Sequence, residues 1–235
     1  MLGSGENAMS DVEETKRAAG LRSMDYIEDG MVVGVGTGST AKYMIEALAE
    51  RVRGGLKIKG VPTSKTFGEM AAQQGIPMIS LDDAGEIDVT IDGADEIGPG
   101  LALIKGGGGA LLHEKIVATA SKKMVVVVGA GKVVPMLGKF PLPVEVIPFA
   151  AAPVLRKLEA LGINPTRRPA KSGDGPYITD EGNWIFDCHC GTIPDPSSLA
   201  LAIRGITGVV EHGLFIDIAS VAIVADEGGV SLIER

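Results

Sequence analysis

The 235-residue chain is 45% hydrophobic but only 4% aromatic, holds 33 glycines and carries a net charge of −8. That charge excludes general affinity for nucleic acid or an anionic membrane surface, so any anionic ligand must be held by local donors. A core of Val, Ile, Leu and Ala with this much glycine points to a layered α/β protein.

Through about residue 20 the chain reads as a charged surface helix, with Val12, Ala18, Ala19 and Leu21 on a weak apolar side. MVVGVG (31–36) is a short apolar run ended by glycine, a strand signal. STAKYMIEALAERV follows with helical spacing through Tyr43, Ile45, Leu48 and Val52, and Ser39 or Thr40 is placed to cap it. LKIKGVPTS reads as a second strand, KTFGEMAAQQG as a helix ended by Gly75, PMISL as a third strand and IDVTIDGADEI as a fourth that runs into an acidic turn. A run of four glycines then leads into a helix over LLHEKIVATAS, and KMVVVVG is a strand apolar on both faces. This alternation predicts a doubly wound, mostly parallel sheet.

Five prolines between positions 141 and 165 mark a boundary. Beyond it come a strand (144–148), a helix (APVLRKLEALG) and a strand near 165–169. A hairpin turning at Glu181 and Gly182, a helix (PSSLALAIRGI) and a strand (VVEHGLF) follow. That order, βαββαβ, predicts a second, smaller ferredoxin-like α+β unit. IASVAIVAD and GVSLIE read as edge strands returning to the first sheet. The chain divides accordingly into 1–139 with 213–235, and 140–212.

Cys188 and Cys190 are one residue apart, too close for an ordinary structural disulfide and too few for a disulfide scaffold. With no leader-like apolar segment and no apolar run of the ~18 residues a membrane helix needs, a soluble protein of the reducing cytoplasm is expected. Cys188, His189 and Cys190 lack a second ligand pair elsewhere, so they are expected to be structural.

Three stretches carry chemistry. GVGTGST (34–40) joins a strand to a helix N-terminus, where backbone N–H groups and the hydroxyls of Thr37, Ser39 and Thr40 suit a small anion, most simply one phosphate. It is not a dinucleotide fingerprint, since Ser39 stands where glycine is required, nor a nucleotide-triphosphate loop, since Gly38 replaces the lysine. A tight turn that binds nothing is the competing reading. DVTIDGADEI (88–97) puts Asp92, Asp95 and Glu96 at the C-terminal end of a strand, where open α/β sheets bind ligands. Such carboxylates transfer protons, grip sugar hydroxyls, hold Mg²⁺, or form a solvated acidic turn.

LIKGGGGALLHEKIVA (103–118) is the most informative. Glycines inside a regular element cost about 0.5–1 kcal/mol each, so a run of four marks a sharp turn or a close approach. The N–H groups of Gly106, Gly107, Gly108 and Gly109 can converge as an oxyanion hole, with Lys105 adding a full charge. Glu114, partly enclosed by Leu111, Leu112 and Ile116, is placed for a pKa raised toward neutrality. Donors beside a base are what deprotonating a carbon next to a carbonyl requires. Equally, Glu114 could be a surface residue pairing with Lys115 or Lys122.

Together GVGTGST, VPTSKT, DGADEI, LIKGGGGALLHEKIVA and LGKFPLPVEVIPFA, in this order and spacing, resemble the ribose-5-phosphate isomerase A family from about Lys16 to near the C-terminus. The resemblance implies interconversion of ribose 5-phosphate and ribulose 5-phosphate through an enediolate, without metal or organic cofactor. It implies Glu114 as the base, Asp92 and Asp95 in ring opening and in shuttling the O1 and O2 protons, and Lys105 with the four glycines around the enediolate. Thr37, Gly38, Ser39 and Thr40 would hold the phosphate or nearby hydroxyls, helped by Lys16 and Lys132. It also implies a lid-like second unit supporting a homodimer or homotetramer; nothing in the sequence makes its Arg167, Arg168 or Lys171 catalytic. His113 stands where the family commonly has arginine. Two rivals remain: a non-catalytic sugar-phosphate sensor, for which the acidic stretch of about 30 residues before the first strand leaves no room for a DNA-binding helix-turn-helix, and an acyl-CoA transferase-type enzyme, for which the chain is short.

Overall fold

The apolar runs of the first half and the C-terminus assemble into one sheet, seen in a computed structural model that describes residues 4–235. In chain order its elements are α1 (Ser4–Arg22), β1 (Val32–Val35), α2 (Ser39–Arg53), β2 (Lys59–Pro62), α3 (Lys65–Gln73), α4 (Leu81–Ala84) and β3 (Val89–Asp92). Next come β4 (Glu96–Ile97), β5 (Leu103–Ile104), α5 (Leu111–Thr119), β6 (Met124–Val128), β7 (Leu142–Val146), α6 (Ala151–Ala160) and β8 (Pro165–Arg167). The chain ends with β9 (Trp184–Cys188), α7 (Pro196–Arg204), β10 (Val209–His212), β11 (Leu214–Phe215), β12 (Val221–Asp226) and β13 (Gly229–Glu234).

The main sheet has the order β13-β12-β6-β3-β1-β2, parallel except for the antiparallel pair β12–β13. Its valines alternate between two cores. Val125 and Val127 pack with Val33, Val35, Met44 and Leu48, whereas Val126 and Val128 meet Leu103, Ala118 and Phe215 on the other face. Covering both faces is why KMVVVVG has no polar member. The chain passes from β1 to β2 on one side and places β3 on the other. The loops leaving β1 and β3 therefore diverge at the carboxyl edge and open a crevice.

Residues 142–212 carry the second sheet, β10-β7-β9-β8, antiparallel throughout, with α6 and α7 as its crossovers. This is the predicted split βαβ arrangement. Its core includes Val144, Leu158, Phe186, Cys188 and Ile203. A third sheet, β11-β5-β4, was not foreseen. Strands of two residues are too short to show an alternation.

Six expectations need correction. VVEHGLF breaks at Gly213 into β10 and β11, which join different sheets, and the hairpin turning at Glu181 and Gly182 has only one strand, Trp184–Cys188. PMISL makes only a single bridge, Met78 to Gly60, because Ser80 caps the helical turn that Leu81 begins. The strand in IDVTIDGADEI ends at Asp92, and beyond the acidic turn Glu96 and Ile97 join the third sheet instead. Of the last two strands only β13 is an edge, since β12 lies between β13 and β6 and is apolar on both faces. On α1, Ala19 enters the core while Val12 and Leu21 stay exposed. Among the described residues no helix is long and apolar enough to cross a membrane.

Candidate active site

The crevice between β1 and β3 is closed at its base by backbone contact. A Cβ at Gly36 would overlap the Ile91 carbonyl and Asp92, so only glycine lets the two loops approach this closely. Across the gap the N–H of Thr37 donates to Asp92 Oδ1 at 2.9 Å, and the N–H of Gly93 donates to the same oxygen at 2.7 Å. The Thr37 hydroxyl lies 2.8 Å from Thr63 Oγ1 and 2.9 Å from Ser64 Oγ, so it is tied inward. Ser39 is already helical, and the N-cap is Gly38 at φ +116°, with no side chain capping α2. The expected Ser39 or Thr40 cap is therefore absent. Its absence leaves the first-turn N–H groups open beside Gly38, Ser39 and Thr40 on the wall of a cleft.

Facing that helix terminus is a buried charge cluster. Lys105 Nζ, 2% exposed, donates to Gly93 O at 2.6 Å and stands 3.1 Å from Asp92 Oδ2 and 3.4 Å from Glu114 Oε2. Neither of those carboxylate oxygens has a hydrogen-bond partner among the described residues. Asp95, also on the cleft wall, adds a third carboxylate. Burial is the largest influence on Glu114. Partly offset by Lys105 and reinforced by Asp92 and Asp95, it pushes the Glu114 carboxyl up to about 8. Burial disfavours the Lys105 charge, but Asp92 and Glu114 outweigh it and hold the ammonium above its usual range. Leu111 is fully buried near Glu114, whereas Ile116 faces out and cannot enclose it.

The glycine run does less than four donors' work. Gly107 N–H donates to Asp95 Oδ2 at 2.8 Å and Gly109 N–H to Gly106 O at 2.9 Å. Gly109 is also covered by Tyr177: at φ +89° it needs glycine, and a Cβ would overlap the Tyr177 hydroxyl. The oxyanion donors thus reduce to Gly106 and Gly108, whose N–H groups have no acceptor among the described residues.

The cleft gathers Thr37, Gly38, Ser39, Thr40, Asp95, Lys105, Gly106, Gly107, Gly108, Glu114 and Lys132. Three predicted residues do not line it. Gly109 lies behind Tyr177. Asp92 is fully buried behind Lys105. Lys16 is held on α1 by Glu13 at 2.9 Å, packed beside Gly129. Glu96 is structural, accepting the N–H groups of Gly138 and Phe140 at 2.8 and 2.6 Å. Arg167 stacks on Trp184 and Lys171 is exposed. Cys188 is buried in the second core and Cys190 is half-buried. Burial pushes the Cys188 thiol well up and that of Cys190 to about 11, so neither is reactive. Sequence reading missed Arg168 and Tyr177, which hold the carbonyls of the glycine loop. No motif marks them, and they lie about sixty residues away along the chain.

The model of the family ribose 5-phosphate isomerase A (phosphoriboisomerase A) matches residues 59–229. The chain is 52% identical over 229 residues to ribose-5-phosphate isomerase A of Nitrobacter hamburgensis, covering 95% of this chain and 99% of that protein. Among solved structures, a D-ribose-5-phosphate isomerase in complex with phospho-erythronic acid superimposes with a TM-score of 0.93 at 42% identity, over 95% of this chain and 99% of that one. Ribose 5-phosphate isomerase A of Methanocaldococcus jannaschii gives 0.91 at 40% identity, with the same coverage of both chains. With a crevice at the β1–β3 switch point, an uncapped helix terminus and a buried carboxyl opposite, in a chain 40% to 52% identical to these relatives over nearly its whole length, the protein belongs to the ribose-5-phosphate isomerase A family.

Proposed function

We propose that this chain interconverts D-ribose 5-phosphate and D-ribulose 5-phosphate, with Glu114 moving a proton between C2 and C1 of the open-chain sugar. The observation that carries this reading is the Glu114 carboxyl itself: buried, on the cleft wall, 3.4 Å from Lys105 and pushed up to about 8. A base whose pKa lies near working pH is the one best matched to taking a proton and returning it.

The steps balance within the cleft. From the aldose, the Glu114 carboxylate takes the C2 proton, and the electron pair moves into the C1–C2 bond as O1 gains charge. Lys105 and the N–H of Gly108 stabilise that charge. Asp95, on the wall, passes the O2 proton to O1, and Glu114 returns its proton to C1. In this reading Asp92, fully buried and 3.1 Å from Lys105, acts on the sugar through that lysine. The phosphate lies at the open N-terminus of α2 on Gly38, Ser39 and Thr40, with Lys132 supplying the facing charge. Thr37 shapes this end through its backbone, and Lys16 contributes only if it leaves Glu13. Phospho-erythronic acid, held by the related structure, carries a carboxylate and a phosphate on one short chain, chemically matched to the two ends of this cleft.

The finer expectations go with this reading: a smaller unit over 140–212 that supports a dimer or tetramer, in the cytoplasm. The experiment is formation of ribulose 5-phosphate from ribose 5-phosphate by purified protein in EDTA. Turnover supports the reaction and its independence from metal. No turnover, with ribose 5-phosphate still raising Tm, would turn the reading to a sugar-phosphate sensor.

A further inference from the structure

Three successive carbonyls of the glycine loop are taken by side chains from the second sheet's segment. Arg168 sends Nη1 to Gly106 O at 3.0 Å and Gly107 O at 3.2 Å. Its Nε and Nη2 grip the Asp187 carboxylate at 2.9 and 2.5 Å. Tyr177, whose ring lies 5.7 Å from the guanidinium carbon, donates its hydroxyl to Gly108 O at 3.2 Å. The guanidinium is therefore fixed on one side and spends its remaining nitrogen on two peptides of the loop.

A trans peptide points its C=O and the next residue's N–H in opposite directions, and no described peptide is cis. Holding Gly106 O on Arg168 turns the Gly107 N–H the other way, where it meets Asp95 at 2.8 Å. Holding Gly107 O turns the Gly108 N–H away from Arg168, and among the described residues it meets no acceptor. Gly108 is also a wall residue of the cleft that holds Lys105 and Glu114. Four consecutive glycines cannot hold such an orientation by themselves.

We infer that Arg168 is a positioning residue that sets the Gly107–Gly108 peptide, so that the Gly108 N–H faces the oxygen that gains charge. This rests on the isomerase reading above. A lysine could not substitute, because a single ammonium cannot grip a carboxylate in a fork and bridge two carbonyls.

The test is Arg168→Lys, with Asp187→Asn as a milder second variant that keeps the guanidinium but loosens its anchor. Losing one aimed oxyanion donor costs about 10²-fold in kcat. The expected result is a kcat lower by about that factor, with KM for ribose 5-phosphate and Tm little changed and Asp187→Asn in between. Affinity for phospho-erythronate, whose carboxylate falls where charge develops, should drop in step with kcat, while affinity for inorganic phosphate should hold. Unchanged kcat in folded Arg168→Lys would overturn the inference, as would equal loss of phosphate and phospho-erythronate binding. Should the wild type isomerise nothing, the functional reading falls. The inference then rests on the crystal structure of Arg168→Lys: a turned or doubled Gly107–Gly108 peptide upholds it, and an unmoved one overturns it.

Discussion

Glu114 and Lys115 are neighbours on α5, both buried and both displaced from their ordinary titration ranges, yet they face different clusters. Lys115 Nζ donates to Glu211 Oε1 at 2.8 Å and to His212 O at 2.5 Å, and Glu211 also accepts Arg204 Nη2 at 3.0 Å and the His212 N–H at 2.9 Å. Burial, only partly offset by Glu211, lowers Lys115 to about 8, and burial with Lys115 nearby lowers His212 to about 4. Also beside the Phe215 ring, whose centroid is 4.9 Å from Lys115 Nζ and 5.4 Å from Lys105 Nζ, the other cluster sets three carboxylates around one lysine and leaves two oxygens without a hydrogen bond. A shifted pKa therefore does not by itself mark a site. Nor does a cleft, since Lys115, Arg204 and His212 line one too; the marks are the excess of carboxylates over lysine and the carboxylate oxygens that lack a hydrogen bond. The Lys115 cluster sets two cations, Lys115 and Arg204, on the one Glu211 carboxylate, leaves neither of its oxygens without a donor and fastens α5 to β10.

Breaking the two clusters should separate them. Glu114→Gln is expected to lower kcat by about 10²–10⁴, the usual worth of a positioned general base, with ribose 5-phosphate still raising Tm. Near-normal turnover would move the base to Asp95, the other carboxylate on the cleft wall. Lys115→Met should do the reverse: stability falls by about 3 kcal/mol as Glu211 loses its buried partner, while kcat of the folded protein stays within about threefold. A large kcat loss in a well-folded Lys115→Met would erase the distinction. The third test uses pH. Glu114 keeps a proton in the folded state up to about 8, whereas the unfolded chain releases it near 4.5. Its contribution to stability is thus fully present below 4.5 and is lost as pH rises through about 8, at up to about 1.4 kcal/mol per unit. Urea denaturation at a series of pH values should show this slope in the wild type and its loss in Glu114→Gln. The smallest effect sharpens the phosphate end: Lys132→Ala should raise KM about tenfold with kcat nearly kept, the worth of one charged hydrogen bond.

Local chemistry made much of this readable in the sequence. Glycines at a strand-to-helix junction, a run of four more and an acidic strand end each have a physical use, and all three meet at the switch point between β1 and β3. What stayed hidden depends on distance along the chain. Nothing near GGGG announces that Arg168 and Tyr177 hold its carbonyls, or that Asp95 and Gly106 occupy two of its four N–H groups. The strands β4, β5 and β11 are too short to leave a period, and β12 reads as an edge only if its fully apolar run is taken to face one core rather than two. Asp92 shows the limit most plainly. Its sequence neighbourhood fits a catalytic carboxylate, but its full burial 3.1 Å from Lys105 leaves no mark in that neighbourhood.

The central claim, that Glu114 carries the proton, is tested most directly by running the reaction in D₂O and following deuterium at C2 of ribose 5-phosphate and C1 of ribulose 5-phosphate. Wild-type protein should place solvent deuterium at both carbons. Glu114→Gln, with phospho-erythronate still bound normally, should place it at neither over the same time. Deuterium entering the sugar at an undiminished rate in Glu114→Gln would contradict the account.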